Sequence, residues 1–144
     1  MHETTIHIVP TDCDMLGHVN HATMIALLER ARWALVEAMG PLAEFTRGGT
    51  YSVVRHVDIS YHRQSVPGDD LVVRSGLREV RTTSFVVRQE VRKTLDDSAG
   101  GALVAEANVT LVAVGRDGRA VPVPDDWRAR FPRWSDAGAT GDAA

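Results

Sequence analysis

Residues 20–41, with the sequence NHATMIALLERARWALVEAMGP, decide how this chain of 144 residues is interpreted. Apolar side chains recur there at spacings of three and four, which is the period of an amphipathic α-helix. Alanine, leucine, glutamate, arginine and methionine dominate the stretch, and all of them favour helices. Asn20 fits the position of an N-cap, and Gly40 followed by Pro41 fits a helix stop. The pattern predicts one long helix over residues 21–39.

The sequence on both sides of this helix has the alternating pattern of β-strands. A short strand is predicted before it, over residues 4–9, where polar and apolar side chains alternate until Pro10. Four longer, valine-rich strands are predicted after it, over residues 51–62, 71–81, 84–93 and 102–114. Many of their alternate positions are charged, so one face of the sheet should meet water or a polar partner. This order predicts an α+β fold with an antiparallel sheet against the helix.

The rest of the chain is predicted to form connections and ends. Loops or turns are expected at residues 11–20, 46–50, 66–70 and 96–101. A short helix is expected to begin after Pro124 and to run to Phe131. Residues 1–134 are interpreted as a single domain, and residues 135–144, SDAGATGDAA, as a disordered tail.

Composition excludes several classes of protein. The formal net charge of −3 argues against a general nucleic-acid binder, which usually has a basic excess. Cys13 is the one cysteine of the sequence, so no intrachain disulfide forms, which fits a reducing compartment. No signal peptide and no membrane span are recognised, and the six histidines have no metal-binding spacing. We expect a cytoplasmic protein without a cofactor or metal.

The loop over residues 11–21, TDCDMLGHVNH, concentrates the polar chemistry. A carboxylate such as that of Asp14, beside apolar elements, can be partly desolvated and become more basic. The helix start next to it offers free backbone N–H groups for a developing oxyanion. Gly17 permits a tight turn. These residues alone leave two interpretations open, since Asp14 and Asn20 also suit an ordinary turn and helix cap.

The same loop carries a family resemblance. The run D-C-D-M-L-G-H-V-N-H-A-T-M, followed by L-L-E-R-A-R, resembles the entry motif of hotdog-fold acyl-CoA thioesterases. It is most similar to the branch with 4-hydroxybenzoyl-CoA thioesterase and the Tol-Pal-associated thioesterases. The motif positions are Asp12, Asp14, Gly17, Val19, Glu29, Ala31 and Arg32. The resemblance continues at residues 57–65, 67–69, 83–85 and 121–127.

This resemblance implies a five-stranded antiparallel sheet wrapped around one long central helix. It implies a homodimer or homotetramer whose subunits pair their sheets edge to edge, with active sites at the interface. Asp14 aligns with the catalytic carboxylate, which acts as nucleophile or general base. His21 is a second catalytic candidate, through its backbone N–H and its side chain. The implied substrate is an acyl-CoA or an acyl carrier protein.

Further site residues follow from the same resemblance. The substrate-binding candidates are Gly17, Asn20, Arg81 and Ser84, the last two where family members meet the nucleotide phosphates. Asp12 is expected to hold the loop by hydrogen bonds. Cys13 is not expected to be the nucleophile, because neighbouring carboxylates disfavour its thiolate. Structural or solvent-facing roles are expected for His18, His56 and His62, and a solvated strand face for Arg78, Arg88 and Arg92.

Two alternatives to hydrolysis stay open. One is a hotdog-fold dehydratase or hydratase acting on an acyl thioester, with His18 or His21 as partner to the aspartate. The other is a non-catalytic acyl-CoA binding protein, although a binding module has no need of Asp14.

Overall fold

The computed structural model describes residues 1–94 and 100–136. These residues contain five strands and three α-helices, and a 3₁₀ turn at Pro10–Asp12 follows the first strand. In chain order the elements are β1 (His2–His7), α1 (His21–Met39), α2 (Leu42–Phe45), β2 (Tyr51–Tyr61), β3 (Asp70–Val80), β4 (Ser84–Lys93), β5 (Ala102–Val114) and α3 (Asp125–Arg130).

The five strands form one antiparallel sheet in the order β1-β3-β4-β5-β2. This confirms the predicted α+β class and the five-stranded antiparallel sheet. The short β1 and the 11-residue β2 are the two edge strands. Every residue of β2 is exposed or only half-buried, whereas β4 and β5 are largely buried. The long β2 edge therefore lies open in the single chain.

One long helix, α1, packs on a face of this sheet. Its buried side chains are Met24, Leu27, Leu28, Ala31 and Leu35. They share one apolar core with inward-facing side chains of the sheet such as Val87 and Val109. The other side of α1 is open, and Trp33 there is 49% exposed. A single sheet thus covers the helix on one side only.

The bounds of α1 agree with the prediction because both ends are chemically marked. The side chain of Asn20 accepts a hydrogen bond of 2.8 Å from the backbone N–H of Thr23, which is the predicted N-cap. Gly40 ends the helix with φ +143°, a conformation that favours glycine. A Cβ there would also lie 2.8 Å from the end of the Arg130 side chain, which would have to move.

Three local predictions differ from the structure or lie outside it. The strand predicted at residues 4–9 lies two residues earlier in the structure, at His2–His7. It ends before Val9 because Val9 is the N-cap of the 3₁₀ turn that begins at Pro10. The helix α2 falls where only a connection was expected. Most of the predicted loop at 96–101 and of the predicted tail at 135–144 lies outside the described residues.

The chain after α3 covers part of the outer face of the sheet, over β3. The backbone N–H of Leu77 donates to Pro132 at 2.8 Å, and Trp134 donates back to Leu77 at 2.9 Å. Gly76 makes this approach possible, because a Cβ there would lie 2.8 Å from the Trp134 backbone. The Trp134 ring then lies beside the Arg74 and Arg88 guanidinium groups, at 5.9 and 5.7 Å.

Candidate active site

The loop before α1 folds back on itself as a small hairpin. Cys13 and Val19 form an antiparallel bridge, and the N–H of Asp14 donates to the carbonyl oxygen of His18 at 3.1 Å. Gly17 closes the turn with φ +79° and donates to the carbonyl of Asp14 at 3.0 Å. Asp14 therefore lies opposite His18. His18 is three residues before His21, the first residue of α1, and three residues span at most about 11 Å.

The Asp14 carboxylate is held by one oxygen. Its Oδ1 accepts a hydrogen bond of 2.9 Å from the N–H of Leu16, and its Oδ2 has no hydrogen-bond partner among the described residues. The expectation of partial desolvation is wrong for the single chain, because the tip of the hairpin, residues 14–17, is exposed. Asp14 is exposed, and the neighbouring Met15 and Leu16 are 100% and 77% exposed. Two exposed apolar side chains therefore follow the candidate catalytic group directly in sequence.

The start of α1 presents two free backbone donors. The N–H groups of Thr23 and Met24 are taken by the side chain and the carbonyl of Asn20. The N–H groups of His21 and Ala22 have no acceptor among the described residues. Such first-turn amides carry the positive end of the helix dipole, which suits a developing negative charge. The His21 side chain is exposed.

Tyr61, at the end of β2, adds a contact that the sequence did not predict. Its hydroxyl donates a hydrogen bond of 2.9 Å to the carbonyl oxygen of His21. Burial raises the pKa of this phenol, so it stays a donor. The tyrosine in D-I-S-Y-H at residues 58–62 was the available signal, but nothing local in the sequence joins it to the helix start.

Asp12 and Cys13 behave as expected. The Asp12 Oδ2 accepts a hydrogen bond of 3.0 Å from the N–H of Val9, which ties the loop to the end of β1. The pKa of the Cys13 thiol is raised, first by desolvation and then by the charges of Asp12, Asp14 and Asp69. A raised thiol pKa argues against a nucleophilic thiolate. The base of the hairpin is anchored by a 2.9 Å hydrogen bond from the N–H of Val19 to the carbonyl of Ser65.

Among the described residues, no hydrogen bond or ion pair joins the side chains of His18, His56 or His62 to Asp14. The contact given above for His18 is through its backbone carbonyl. His62 lies 3.8 Å from a carboxylate oxygen of Glu106, and His56 is exposed on β2. Within residues 1–94 and 100–136 no group of three or more His, Cys, Asp or Glu side chains is arranged to hold a metal ion.

Arg81 and Ser84 lie at the other end of the sheet. They close the turn between β3 and β4, where the N–H of Arg81 donates to the Ser84 carbonyl at 2.7 Å. Eleven residues of β3, about 35 Å of extended chain, separate this turn from the end of the sheet near the hairpin. Arg81 is exposed and bonds Glu79 at 2.8 Å, which raises the pKa of Arg81. One chain alone does not bring these residues to Asp14.

An apolar cavity of about 160 Å³ opens between the C-terminal half of α1 and the sheet. Its walls include Trp33, Val36, Val54, Phe85 and Phe131, with Glu29 and Arg32 as the charged groups. A cavity of this size holds a group of about six carbon atoms, since a cavity of ~150 Å³ binds benzene. Ser52 and Val54, near the start of β2, line the cavity. The cavity therefore lies at the same end of the sheet as Arg81, and Tyr61 lies at the other end.

Comparisons with known proteins identify the family of this chain. Residues 8–131 match the family model described as the thioesterase-like superfamily. The long-chain acyl-CoA thioesterase FadM of Escherichia coli is 30% identical over 78% of this chain and 82% of that protein. The crystal structure of YbaW, a probable thioesterase from Escherichia coli, has a TM-score of 0.78 at 27% identity, covering 89% of this chain and 94% of that one.

A further solved structure resembles the chain equally well. It is a 4-hydroxybenzoyl-CoA thioesterase mutant complexed with 4-hydroxybenzoyl-CoA, with a TM-score of 0.79 at 25% identity, covering 88% of this chain and 95% of that one. Within the described residues no helix is both long and apolar enough to cross a membrane. The matches confirm the predicted family and the interpretation as a thioester hydrolase. The chain belongs to the thioesterase-like superfamily.

Proposed function

We propose that this chain hydrolyses an acyl-CoA thioester, with Asp14 as the catalytic carboxylate. The observation that supports the assignment is the hairpin register, which sets Asp14 opposite His18, and His18 is three residues before the start of α1. A carboxylate with one free oxygen and a pair of free amides are thereby on one short segment. The names of the relatives, thioesterases of long-chain acyl-CoA and of 4-hydroxybenzoyl-CoA, agree with such a substrate.

The chemistry needs only groups that the segment supplies. The thioester carbonyl oxygen accepts hydrogen bonds from the His21 and Ala22 amides, and these strengthen as the oxygen becomes negative. The free Oδ2 of Asp14 removes a proton from water, whose hydroxide attacks the carbonyl carbon. Collapse of the tetrahedral intermediate breaks the C–S bond, and the leaving thiolate takes the proton from the protonated Asp14, which restores the carboxylate.

Direct attack by Asp14 is the second mode of the same hydrolysis. It gives a mixed anhydride between Asp14 and the acyl group, which water then cleaves. The hydrogen bond from Leu16 holds Oδ1 and leaves Oδ2 free, which suits both modes. The side chain of His21 is exposed beside the amides and is proposed as an assisting group.

We further propose that two chains pair through β2. An exposed edge strand of 11 residues is a template for pairing with another strand. Its apolar side chains Tyr51, Val53, Val54 and Tyr61 are exposed, and so is Trp33 on the open side of α1. A second subunit on this edge would cover these groups. We propose the predicted wrapping of the sheet around α1 together with this pairing. The assembly is proposed to be a homodimer or a homotetramer.

Pairing by a two-fold axis makes the two β2 strands antiparallel. The Tyr61 end of one strand then lies beside the Tyr51 end of the other. Asp14 of one subunit therefore shares an end of the joint sheet with the cavity and the Arg81 turn of its partner. In this arrangement the predicted substrate-binding roles of Arg81 and Ser84 act across the interface, while Gly17 and Asn20 act within one chain.

The nature of the thiol partner stays a prediction. Arg81 is the single cation in the turn at residues 80–84, so a CoA nucleotide and an acyl carrier protein both remain candidates. A cytoplasmic location, where both thioesters occur, is proposed on the same grounds.

Removal of the Asp14 charge tests the proposed function. Asp14→Asn preserves the oxygen that Leu16 binds and removes the base, so thiol release from a panel of acyl-CoAs should fall by at least about 100-fold. Asp12→Asn is the matched control, because its amide oxygen can still accept from Val9, and it should lose only a few-fold. Retention of activity in Asp14→Asn would overturn the assignment. Saturable binding without thiol release by the natural sequence would favour a dehydratase or a binding protein.

A further inference from the structure

The cavity contains a cation that the protein does not neutralise. Arg32 lines the wall, and its Nη1 donates to the Oε1 of Gln89 at 3.0 Å. No salt bridge joins Arg32 to a carboxylate of the described residues. Burial lowers the pKa of this guanidinium, although an arginine stays charged at neutral pH. A partly buried charge without a counter-ion is unfavourable unless another group compensates it.

Gln89 fixes the direction in which Arg32 is held. Gln89 is 0% exposed, and its Nε2 donates to the Leu28 carbonyl at 3.0 Å and to Ser75 Oγ at 2.9 Å. With both amide hydrogens used, its Oε1 is the atom left to face Arg32. A single neutral acceptor leaves most of the five N–H donors of the guanidinium unpaired. None of the three buried side-chain atoms without a partner in the described chain belongs to Arg32, so its unused donors reach the cavity or solvent.

Glu29 does not cancel this charge. It is one turn before Arg32 on α1, and its charge acts on Arg32 without a direct salt bridge. Glu29 is exposed, so water and salt screen it, whereas Arg32 is partly buried and is screened less. A group inside the cavity therefore meets a guanidinium whose charge is screened less than that of the carboxylate.

We infer that Arg32 selects acyl groups that carry a carboxylate at the end distant from the thioester. The inference rests on the proposed function and names its substrate class: CoA monothioesters of dicarboxylic acids with about six carbons, the length that the cavity of about 160 Å³ accommodates. The apolar walls bind the methylene groups, and the guanidinium fork binds the terminal carboxylate, a pairing in which arginine is bidentate. In the proposed pairing through β2, the acyl group would reach this cavity from Asp14 of the partner subunit.

Two substrates that differ in one terminal group test this selectivity. Adipoyl-CoA ends in a carboxylate where hexanoyl-CoA ends in a methyl group, and 6-aminohexanoyl-CoA reverses the charge. The natural sequence should show kcat/KM for adipoyl-CoA at least about tenfold above hexanoyl-CoA, since hydrogen bonds to charged groups carry such a factor or more. 6-Aminohexanoyl-CoA should be the poorest substrate.

Arg32→Met should lower the adipoyl-to-hexanoyl ratio at least about tenfold, and Arg32→Lys should preserve part of it. Arg30→Met is the matched control, because Arg30 is an exposed arginine on the same helix, and it should leave the ratio unchanged. A ratio of one or less in the natural sequence overturns the inference whether or not the variants fold. A preference for the amino substrate would assign the cavity to Glu29 and overturn it equally.

Binding separates this inference from the proposed function. Thioether analogues of adipoyl-CoA and hexanoyl-CoA cannot be hydrolysed, and their dissociation constants are measurable by calorimetry. Tighter binding of the adipoyl analogue without turnover of any thioester would support the selectivity and overturn the hydrolysis. Hydrolysis without any preference, in rate and in binding, would overturn the selectivity alone.

Discussion

The hydroxyl of Tyr61 donates to the carbonyl oxygen of His21 across 40 residues of sequence, at 2.9 Å. That carbonyl and the N–H of Ala22 belong to the same peptide group, which is planar. Tyr61 therefore fixes the orientation of one of the two free amides at the start of α1. A hydrogen bond to the carbonyl also polarises the amide, which makes the N–H a better donor. The end of β2 and the oxyanion donor are coupled through a single bond.

Tyr61→Phe removes this bond and retains the ring. A neutral hydrogen bond contributes about 0.5–1.5 kcal/mol, so kcat should fall by about two- to tenfold. KM should change little, because the amide acts mainly on charge in the transition state. Steady-state kinetics give both constants. Tyr51→Phe is the control for the loss of a phenol from the proposed pairing edge, and it should lower kcat less than Tyr61→Phe does. An unchanged kcat in Tyr61→Phe would contradict the positioning role.

The same phenol predicts a pH dependence of stability. Burial raises the pKa of Tyr61, so the folded chain holds the proton more tightly than the unfolded chain. The resulting stabilisation is complete below the unfolded pKa of about 10 and is lost as the pH rises through the folded pKa. Urea unfolding above pH 9 should show a steeper loss in the natural sequence than in Tyr61→Phe. The difference should be small, because the side chain is partly exposed and solvent screens it. Parallel profiles would contradict this prediction.

The sequence predicts elements whose ends carry local chemical marks. Asn20 and Gly40 bound α1, and the predicted range agrees with the structure residue by residue. The valine-rich stretches likewise predict β4 and β5 at their observed bounds. The end of β1 was predicted too late because valine favours strands, whereas Val9 in the structure is the N-cap of the 3₁₀ turn that begins at Pro10.

The sequence did not predict contacts between segments that are distant along the chain. Nothing local joins Tyr61 to His21, or Arg32 to Gln89, because each contact depends on how the sheet and helix pack. The motif residues Arg81 and Ser84 have the types expected of a substrate site, yet sequence order does not reveal that β3 carries them away from Asp14. Asp14 itself was found by the motif, and its catalytic role stays a prediction.

The Asn20 cap supports both the helix and the amides. Asn20→Ala leaves the Thr23 N–H unpaired and should reduce the free energy of unfolding by about 1 kcal/mol. Fraying of the first turn should also lower kcat, since the His21 and Ala22 amides lose their fixed direction. Urea unfolding and steady-state kinetics measure the two effects. Asn20→Asp retains a capping oxygen and should restore most of the stability; equal losses in both variants would argue against the cap.

Gln89 is fully buried and makes three side-chain hydrogen bonds. Gln89→Leu removes both donors and the acceptor, which leaves the Leu28 carbonyl, Ser75 Oγ and Arg32 without this partner. An unsatisfied buried group costs about 1–3 kcal/mol, so we expect the free energy of unfolding to fall by at least about 2 kcal/mol. Adding Ser75→Ala should recover part of that loss, because one orphaned hydroxyl is removed. Strictly additive losses in the double variant would contradict this network.

Complementation between subunits tests the shared site. If Asp14 of one chain serves the cavity of its partner, Asp14→Asn and Val54→Trp damage different chains of the same site, the second by filling the cavity. Each homodimer should be inactive. Co-expressed chains form about half heterodimers, each with one intact site of two, so about one quarter of the activity should return. Co-expression of Asp14→Asn with a chain carrying both substitutions is the control and should return none. Verified heterodimers without activity would mean that each site lies within one chain, and the antiparallel pairing through β2 would then be wrong.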